Sequence, residues 1–232
     1  MKLSVVIPAY NEEKDIQGAI NDVFLWLPSA EVIIVNDAST DATLKKINQK
    51  KRQLRKEYSK NLKVLTNKRN RGHGYSVVRG LLAATGDHIL YLDADRQIDP
   101  ANFYDIHSEN LNIYDSFSGY RVCRDDKFFR KVISFCLKIT ILLQHGYWIK
   151  DANCPFKIYK REKLLPLIKK LPTSYVIPIA CLEVLARKEK YLIGDVPTFH
   201  YPYQGVRKGF LQAMDSKFFD FISKAFQEIT NL

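Results

Sequence analysis

Short apolar runs alternate with helical segments through the N-terminal part of the 232-residue chain. The apolar runs are predicted to be buried strands, and they cover Leu3–Ile7, Val32–Val35, Leu62–Leu65 and His88–Leu92. The segments between them are predicted helices: Glu12–Leu27 with Asn11 as its cap, a basic helix that starts after Asp41, and Gly74–Ala84. Strands that alternate with helices at this spacing form right-handed βαβ units. The pattern therefore predicts an α/β fold with a Rossmann-like, mostly parallel sheet flanked by helices.

The regular alternation of strands and helices ends after Pro100. Further strands are predicted over Asp115–Tyr120 and Phe156–Tyr159 and near Tyr191–Tyr201. Further helices are predicted over Lys127–His145, around Ile177–Arg187 and from about Phe210 to Ile229. Glycine and proline are scarce, and no linker separates the two parts, so we predict one domain over residues 1–232.

The positive charge of the chain is concentrated in one stretch. The net charge is +11, and between Leu44 and Arg71 twelve Lys and Arg residues accompany a single acid, Glu57. Such an excess suggests an anionic partner, although a charge run is usually a solvated face. The stretch has neither interleaved aromatic residues nor a recognition motif, so we expect no nucleic acid as a partner. A basic nucleic-acid-binding module is kept as the alternative from another functional class.

Cysteine usage and hydropathy bear on where the protein resides. Four cysteines without a C-x-x-C pair favour free thiols in a reducing cytosol over a zinc site or a disulfide framework. The apolar run near the N-terminus is shorter than the about 7–15 residues that a signal peptide needs. The longest apolar stretch, Val132–Leu143, contains Lys138 and falls short of the about 20 residues that span a bilayer. We therefore expect a cytoplasmic protein that is neither secreted nor transmembrane.

Acidic and polar residues follow the predicted strands where the strands end. Pro8-Ala9-Tyr10-Asn11-Glu12 follows the first strand, Asp37 the second, and Asp93-Ala94-Asp95-Arg96-Gln97 the fourth. Ligands of open α/β sheets bind at the carboxyl ends of the strands. Two carboxylates at i and i+2 can converge on one divalent cation, which a nucleoside diphosphate requires. A solvated turn or a helix cap is the alternative interpretation of such a triplet.

The motifs occur in a characteristic order along the chain: Ser4–Glu13, Val32–Asp41, Asn70–Gly74, Gly80, Gly86-Asp87 and Tyr91–Asp95. This series resembles glycosyltransferase family 2, whose members are inverting enzymes with the GT-A fold. The later segment Asp151–Arg161 is similar to the Asp…Cys-Gly-Phe-Lys…Arg segment of the polyprenyl-phosphate sugar transferase branch, which includes dolichyl-phosphate mannose synthase. The resemblance implies a single GT-A domain, in which residues 1–100 bind the nucleotide sugar and residues 101–232 bind the acceptor.

The resemblance also implies roles for individual residues. The nucleoside pocket would be lined by Pro8, Ala9, Tyr10 and Glu12, with Asp37 at its base end and Asp93 near the ribose and diphosphate. Asp95, with Gln97 and Asp93, would hold a divalent cation, Mg²⁺ or Mn²⁺. Arg121 and Arg207 would face the phosphate of the acceptor or of the donor; a surface ion pair is the alternative for each.

The chain departs from the family pattern at four places. Asn36 stands where the family usually has Asp or Glu, and Ala38 stands where it has Gly. Pro155 replaces the usual Gly of the Cys-Gly-Phe segment, and Gly209-Phe210 stands where a Ser usually follows Arg207. The match is therefore closer in the donor half than in the acceptor half.

The identity of the acceptor decides what activates it. A hydroxyl has a high pKa and needs a carboxylate base, for which Asp151 is the candidate. A polyprenyl phosphate is already an anion, and it needs positive charge to place it, which Arg121 and Arg207 would provide. With a phosphate acceptor, Asp151 would be an orienting carboxylate and not a base. Together with Asp93 and Asp95, Asp151 completes the expected catalytic set.

Two predicted apolar helices bear on whether the chain binds a membrane surface. Lys127–His145 is expected to pack into the core. The last helix carries an apolar stripe at Phe210, Met214, Phe218, Phe221, Ala225 and Ile229. Phe219 and Phe226 lie off this stripe, which favours contact with a membrane surface or with a second subunit.

We thus expect an inverting, metal-dependent transfer of a hexose from a UDP- or GDP-sugar to a polyprenyl phosphate, with peripheral attachment to the inner membrane face. A saccharide or other hydroxyl acceptor is the alternative.

Overall fold

A computed structural model describes residues 2–122, 128–172, 175–201 and 216–232 of the chain. Its strands are β1 (Leu3–Ala9), β2 (Glu31–Asn36), β3 (Leu62–Thr66), β4 (His88–Tyr91), β5 (Ser116–Arg121), β6 (Lys157–Lys160) and β7 (Ile193–Thr198). Its α-helices are α1 (Ile16–Trp26), α2 (Thr43–Gln53), α3 (Lys56–Asn61), α4 (His73–Ala83), α5 (Ser108–Ile113), α6 (Phe128–His145), α7 (Arg161–Ile168), α8 (Pro178–Lys188) and α9 (Ser216–Thr230). A 3₁₀ helix covers Pro100–Asp105.

The strands form one sheet in the order β3-β2-β1-β4-β6-β5-β7. Strands β1 to β4 are parallel to one another, β6 is antiparallel to both of its neighbours, and β7 pairs in parallel with β5. The predicted α/β fold with a mostly parallel sheet is therefore confirmed. The chain leaves β1 toward β2 on one side and returns to β4 on the other, so the strand order reverses beside β1. Ligands of open α/β sheets bind at such a reversal.

Both faces of the sheet are covered by apolar side chains. Val5 and Ile7 of β1 pack toward α1 and α2, whereas Val6 packs toward α4, α7 and α8. Such alternation follows from the two-residue period of a strand, and it explains why β1 is buried along its whole length. Gly80 of α4 lies directly over β1, and a Cβ there would be 2.3 Å from a methyl group of Val6. The helix therefore packs closely on the centre of the sheet.

Several boundaries differ from the predictions. Helix α1 begins at Ile16 rather than Glu12; residues 13–15 form a turn, and the Glu12 and Glu13 amides bind the start of α2. The basic segment forms two helices, α2 and α3, which are separated by an extended residue at Leu54. Helices α5 and α7 and the 3₁₀ helix were not predicted.

The expectation that the long apolar helix is core was wrong. In α6, Ile141 is fully buried, but Phe135 and Leu143 are 56% and 78% exposed. In α9, Ile229 is fully buried, while Phe219 and Phe221 are exposed. The two helices contact each other, so their exposed aromatic and aliphatic side chains lie in one part of the molecule. Among the helices of the described residues, none is both long enough and apolar enough to cross a bilayer.

Candidate functional site

The loops that follow β1 and β2 are tied together by polar contacts. The Asn11 amide donates to Ser39 Oγ at 3.1 Å, and Asn11 Oδ1 accepts the Thr40 amide at 2.8 Å. Asn11 and Ala38 have φ values of 56° and 55°, a left-handed conformation that favours glycine. Backbone of this kind persists where the surrounding contacts fix it, and such positions cluster at functional sites.

The same two loops are joined again at the start of α2. The Glu12 amide donates to Thr43 Oγ1 at 2.8 Å, and the Glu13 amide donates to Asp41 Oδ2 at 3.1 Å. Burial alone would raise the pKa of Asp41, but hydrogen bonds from Thr43 and from the Glu13 amide bring it below its ordinary value. The predicted binding residue Glu12 is thus held by its backbone at the carboxyl edge of the sheet.

Asp37 is buried at the end of β2, where its carboxylate binds the loop before α4. It accepts hydrogen bonds from Asn67 Nδ2 at 2.6 Å, from the Arg71 amide at 2.9 Å and from the Gly72 amide at 2.8 Å. Pro8 and Ala9 lie inside β1 and are buried, whereas Tyr10 is 44% exposed directly beyond them. The predicted nucleoside-binding residues therefore share one edge, which we call the donor rim (residues 8–12 and 37).

Asp93 lies just beyond β4 and is bound to Tyr91. The buried Tyr91 hydroxyl donates to Asp93 Oδ1 at 2.6 Å, and burial together with the Asp93 charge raises the pKa of Tyr91 well above its ordinary value. Tyr91 therefore remains a proton donor to Asp93. His73, at the start of α4, places Nε2 3.0 Å from the Tyr91 hydroxyl oxygen and 3.8 Å from Asp93 Oδ1.

Asp95 and Gln97 are held by a turn and by a distant segment. Asp95 Oδ1 accepts the Gln97 amide at 3.1 Å, and Gln97 Nε2 donates to the carbonyl of Tyr201 at 3.2 Å. Arg96 between them has a φ of 58°, and its guanidinium points away toward Asp22 of α1, at 2.7 Å. The segment after β7 is therefore attached to the turn that carries Asp95.

The donor atoms at this edge suit a hard divalent cation. Asp93 and Asp95 offer carboxylate oxygens, which Mg²⁺ and Mn²⁺ prefer. Within the described ranges, no three His, Cys, Asp or Glu side chains lie close enough together to hold a metal ion by themselves. A diphosphate that supplies further oxygens would complete such a site, so the residues present fit a cation that is shared with a nucleotide.

Arg121 and Asp151 form a bidentate ion pair at the end of β5. Arg121 Nε donates to Asp151 Oδ2 at 2.7 Å, and Arg121 Nη2 donates to Asp151 Oδ1 at 2.9 Å. The two side chains are 12% and 3% exposed. Both carboxylate oxygens of Asp151 are thus engaged with the guanidinium. Arg207, the other predicted phosphate-binding residue, lies outside the described residues.

A buried ion pair lies behind Arg121 and Asp151, and it was not predicted. Lys157 Nζ of β6 is 2.9 Å from Glu183 Oε2 of α8, and both side chains are at most 3% exposed. Burial would raise the pKa of Glu183, but Lys157 and Arg187 lower it below its ordinary value. Glu183 is thus a buried acid within a helix of mostly apolar residues. A lysine inside an apolar strand and a glutamate inside an apolar helix were the available signals.

Two departures from the family pattern have opposite structural consequences: Pro155 is tolerated, whereas Ala38 is strained. No residue from Asp151 to Phe156 has a positive φ, so the turn accepts Pro155 without strain. Ala38 does have a positive φ, so the usual glycine would fit this position better. Asn36 Oδ1 accepts the Ser39 amide at 3.3 Å and thereby supports the same turn.

Comparisons with known proteins match the chain to one enzyme family. The model of glycosyl transferase family 2 matches residues 4–168. The chain is 30% identical to a dolichyl-phosphate beta-glucosyltransferase of Dictyostelium discoideum, over 69% of this chain and 54% of that protein. It is 28% identical to an undecaprenyl-phosphate 4-deoxy-4-formamido-L-arabinose transferase of Aeromonas hydrophila, over 85% and 61%. It is 32% identical to a dodecaprenyl-phosphate galacturonate synthase of Rhizobium johnstonii, over 69% and 48%. The chain thus spans between 48% and 61% of the length of these curated relatives.

Solved structures share the fold. Glucosyl-3-phosphoglycerate synthase from Mycobacterium tuberculosis in complex with phosphoglyceric acid aligns with a TM-score of 0.68 and 18% identity, over 97% of this chain and 80% of that chain. The same enzyme in complex with Mn²⁺ and UDP-glucose aligns with a TM-score of 0.67 and 18% identity, over 97% and 79%. The GT-A fold implied by the resemblance is confirmed.

Proposed function

The chain belongs to glycosyl transferase family 2, and from this premise we propose that it transfers a hexose from a nucleoside diphosphate sugar to a polyprenyl phosphate, with inversion and with a divalent cation. The names of the relatives support this acceptor, because they describe transfer to dolichyl, undecaprenyl and dodecaprenyl phosphates. The complex of the structural neighbour with Mn²⁺ and UDP-glucose supports the donor and the cation.

One observation carries the proposal: carboxylates and a paired arginine lie at the same edge of the sheet. Asp93 and Asp95 follow β4, and Arg121 ends β5. Strands β4 and β5 run in the same direction, because each is antiparallel to β6 between them. Two interstrand spacings separate them, about 10 Å. A donor diphosphate at Asp95 and an acceptor phosphate near Arg121 would therefore be neighbours.

The donor would bind across the donor rim and the end of β4. Asp93, Asp95 and Gln97 would hold the cation, which would stabilise the charge that develops on the leaving diphosphate. Tyr91 orients Asp93 by donating a hydrogen bond to it. Tyr10, the exposed member of the donor rim, would contact the nucleoside, and Asp37 supports the loop beside its base end.

The acceptor phosphate would bind at the guanidinium of Arg121. Asp151 takes two of the five N–H donors of Arg121 and fixes the plane of the guanidinium, so the charge of Arg121 is held in one orientation. This arrangement favours Asp151 as an orienting carboxylate over Asp151 as a base. An anionic acceptor needs no base, so a phosphate fits this end better than the alternative hydroxyl does.

A membrane-bound acceptor requires contact with lipid. The exposed apolar side chains of α6 and α9, among them Phe135, Leu143 and Phe219, would provide a peripheral attachment to the membrane. We place the protein on the cytoplasmic face, where nucleotide sugars are available.

The test is transfer from a panel of radiolabelled UDP- and GDP-hexoses by the purified chain, with Mg²⁺, Mn²⁺ or EDTA. We expect a lipid-extractable product from polyprenyl phosphate and none from the matching polyprenol. Product from the polyprenol or from a saccharide, and none from the phosphate, would assign the hydroxyl alternative. Absence of transfer with every donor and acceptor would overturn the proposal.

A further inference from the structure

Lys157 is a fully buried cation whose three N–H donors all have acceptors. Its Nζ donates to the main-chain carbonyl of Asp151 at 3.1 Å, to Glu183 Oε2 at 2.9 Å and to Ser118 Oγ. The Lys157 side chain has no exposed surface. Each acceptor comes from a different part of the chain, namely β5, the turn before β6, and α8.

Burial of this pair is not explained by stability. Two charges lose their hydration when they are buried, and an apolar pair of similar volume is often as stable or more stable. The chain has another Lys–Glu pair, Lys170–Glu189, whose side chains are 50% and 41% exposed. That pair avoids the desolvation that Lys157 and Glu183 undergo. Because Lys157 Nζ joins three separate segments of the chain, the pair has the contacts that a positional role requires.

The position of Lys157 in the sheet indicates what it fixes. Lys157 lies opposite Tyr91 of β4 and opposite Ser118 of β5 in the strand register. Tyr91 donates to Asp93 in the donor site, and Ser118 lies in the same strand as Arg121. Lys157 therefore stands between the two halves of the proposed active site.

The contact with the Asp151 carbonyl links Lys157 to Arg121. This carbonyl accepts Lys157 Nζ and also the Cys154 amide, at 3.2 Å, so it closes the turn that precedes β6. The carboxylate of the same residue holds Arg121. A shift of the Asp151 backbone would move its carboxylate and, with it, the guanidinium.

We propose that Lys157 and Glu183 are a pair of positioning residues that fix the Asp151 backbone and thereby the orientation of Arg121 toward the acceptor phosphate. The inference rests on the proposed function for its kinetic consequence. Its structural consequence, the immobilisation of the Asp151–Phe156 turn, is independent of what the enzyme transfers.

The test compares wild type with the double variant Lys157→Met/Glu183→Gln, which removes both charges at nearly constant volume. Lys157→Met alone leaves Glu183 with Arg187 as its remaining charged partner and is the variant at risk of misfolding. We expect the double variant to melt near the wild-type temperature. We also expect its KM for polyprenyl phosphate to rise about tenfold or more, and its KM for the nucleotide sugar to stay within about twofold.

Hydrogen exchange of backbone amides provides the second readout. In the double variant, we expect faster exchange at Cys154 and Arg121, whose amides donate to Asp151, and unchanged exchange in β1. The matched control is Lys170→Met/Glu189→Gln, which removes an exposed pair and should change neither exchange nor kinetics.

Two results would overturn the inference: unchanged exchange at Cys154 and Arg121, or equal changes in the two KM values. If wild type transfers nothing to polyprenyl phosphate, the proposed function fails. The exchange measurement then still decides whether Lys157 and Glu183 immobilise the turn.

Discussion

The two ends of the proposed active site are built from different kinds of contact. At the donor rim, main-chain amides and short polar side chains bind one another, as Asn11, Ser39 and Thr40 do. At the acceptor end, long charged side chains are paired in the interior, as in Arg121–Asp151. Nucleotides are recognised by closely approaching backbone, whereas placing a phosphate requires a charge held in a fixed orientation. The comparison predicts that substitutions at the donor rim weaken binding of the nucleotide sugar, whereas substitutions at the acceptor end weaken use of the acceptor.

Asp95→Asn should give the largest effect, and it should be confined to the donor. One of the two carboxylates that would hold the cation is lost, so Mn²⁺-dependent binding of UDP or GDP should disappear and turnover should fall by about 10³-fold or more. Isothermal titration with and without Mn²⁺ measures the binding. The matched control is Asp105→Asn, an exposed aspartate that should bind nucleotide normally. Wild-type-like, Mn²⁺-dependent binding by Asp95→Asn would contradict a cation at this position.

Asp151→Asn should give the next largest effect, confined to the acceptor. Loss of the charge weakens the hold on Arg121, so kcat/KM for polyprenyl phosphate should fall by about 10–100-fold while nucleotide binding stays unchanged. The pH–rate profile separates the two roles of Asp151. An orienting carboxylate leaves the shape of the profile unchanged in the variant. Near-total loss of activity at every pH would instead identify Asp151 as a base and favour a hydroxyl acceptor.

The contrast between the ends also explains what could be predicted from the sequence. Strands β1, β2 and β4 were located within about two residues, and the donor residues follow them, because apolar periodicity and strand-end motifs are local signals. The Arg121–Asp151 and Lys157–Glu183 pairs depend on the antiparallel return of β6 beside β4 and β5. Periodicity carries no information about which distant strands become neighbours.

Which apolar side chains of α6 are exposed was also unpredictable, for a related reason. An apolar stripe predicts that a helix face is covered, but not what covers it, so α6 was assigned to the core. Burial of Glu183 was unpredictable as well, since an acid in an apolar helix is buried only where a distant part of the chain supplies a partner, here Lys157. In both cases, the missing information is a long-range contact.

Glu31→Gln tests whether the fold can be weakened without affecting either end. Glu31 begins β2, at the edge of the sheet opposite the site, and binds Lys63, Ser4 and Thr85. Burial would raise its pKa, but these hydrogen bonds lower it from 4.5 to about 2. Removing the charge should reduce the free energy of unfolding by about 1–3 kcal/mol at neutral pH. Both KM values should stay unchanged.

The pH dependence of stability follows from the same shift. Because the pKa of Glu31 is lower in the folded state than in the unfolded state, its contribution is complete above about pH 4.5 and is lost as the pH falls toward about 2. The difference in unfolding free energy between wild type and Glu31→Gln, measured in urea, should therefore shrink between these two pH values. A constant difference over this range would show that the ionised carboxylate is not what stabilises the wild type.

Ala38→Gly should have the smallest effect, and it refines the description of the donor rim. Ala38 occupies a left-handed conformation with φ of 55°, which destabilises a residue with a Cβ by about 1–2 kcal/mol. Glycine removes this strain but gains about 0.5–1 kcal/mol of chain entropy in the unfolded state. The net stabilisation should therefore lie between about 0 and about 1.5 kcal/mol. Ala83→Gly is the matched control, because Ala83 lies in α4 without a positive φ, and glycine there should only destabilise. If Ala38→Gly also weakens nucleotide binding, the strained turn itself contributes to the shape of the donor rim; unchanged binding would show that its hydrogen bonds to the β1 loop suffice.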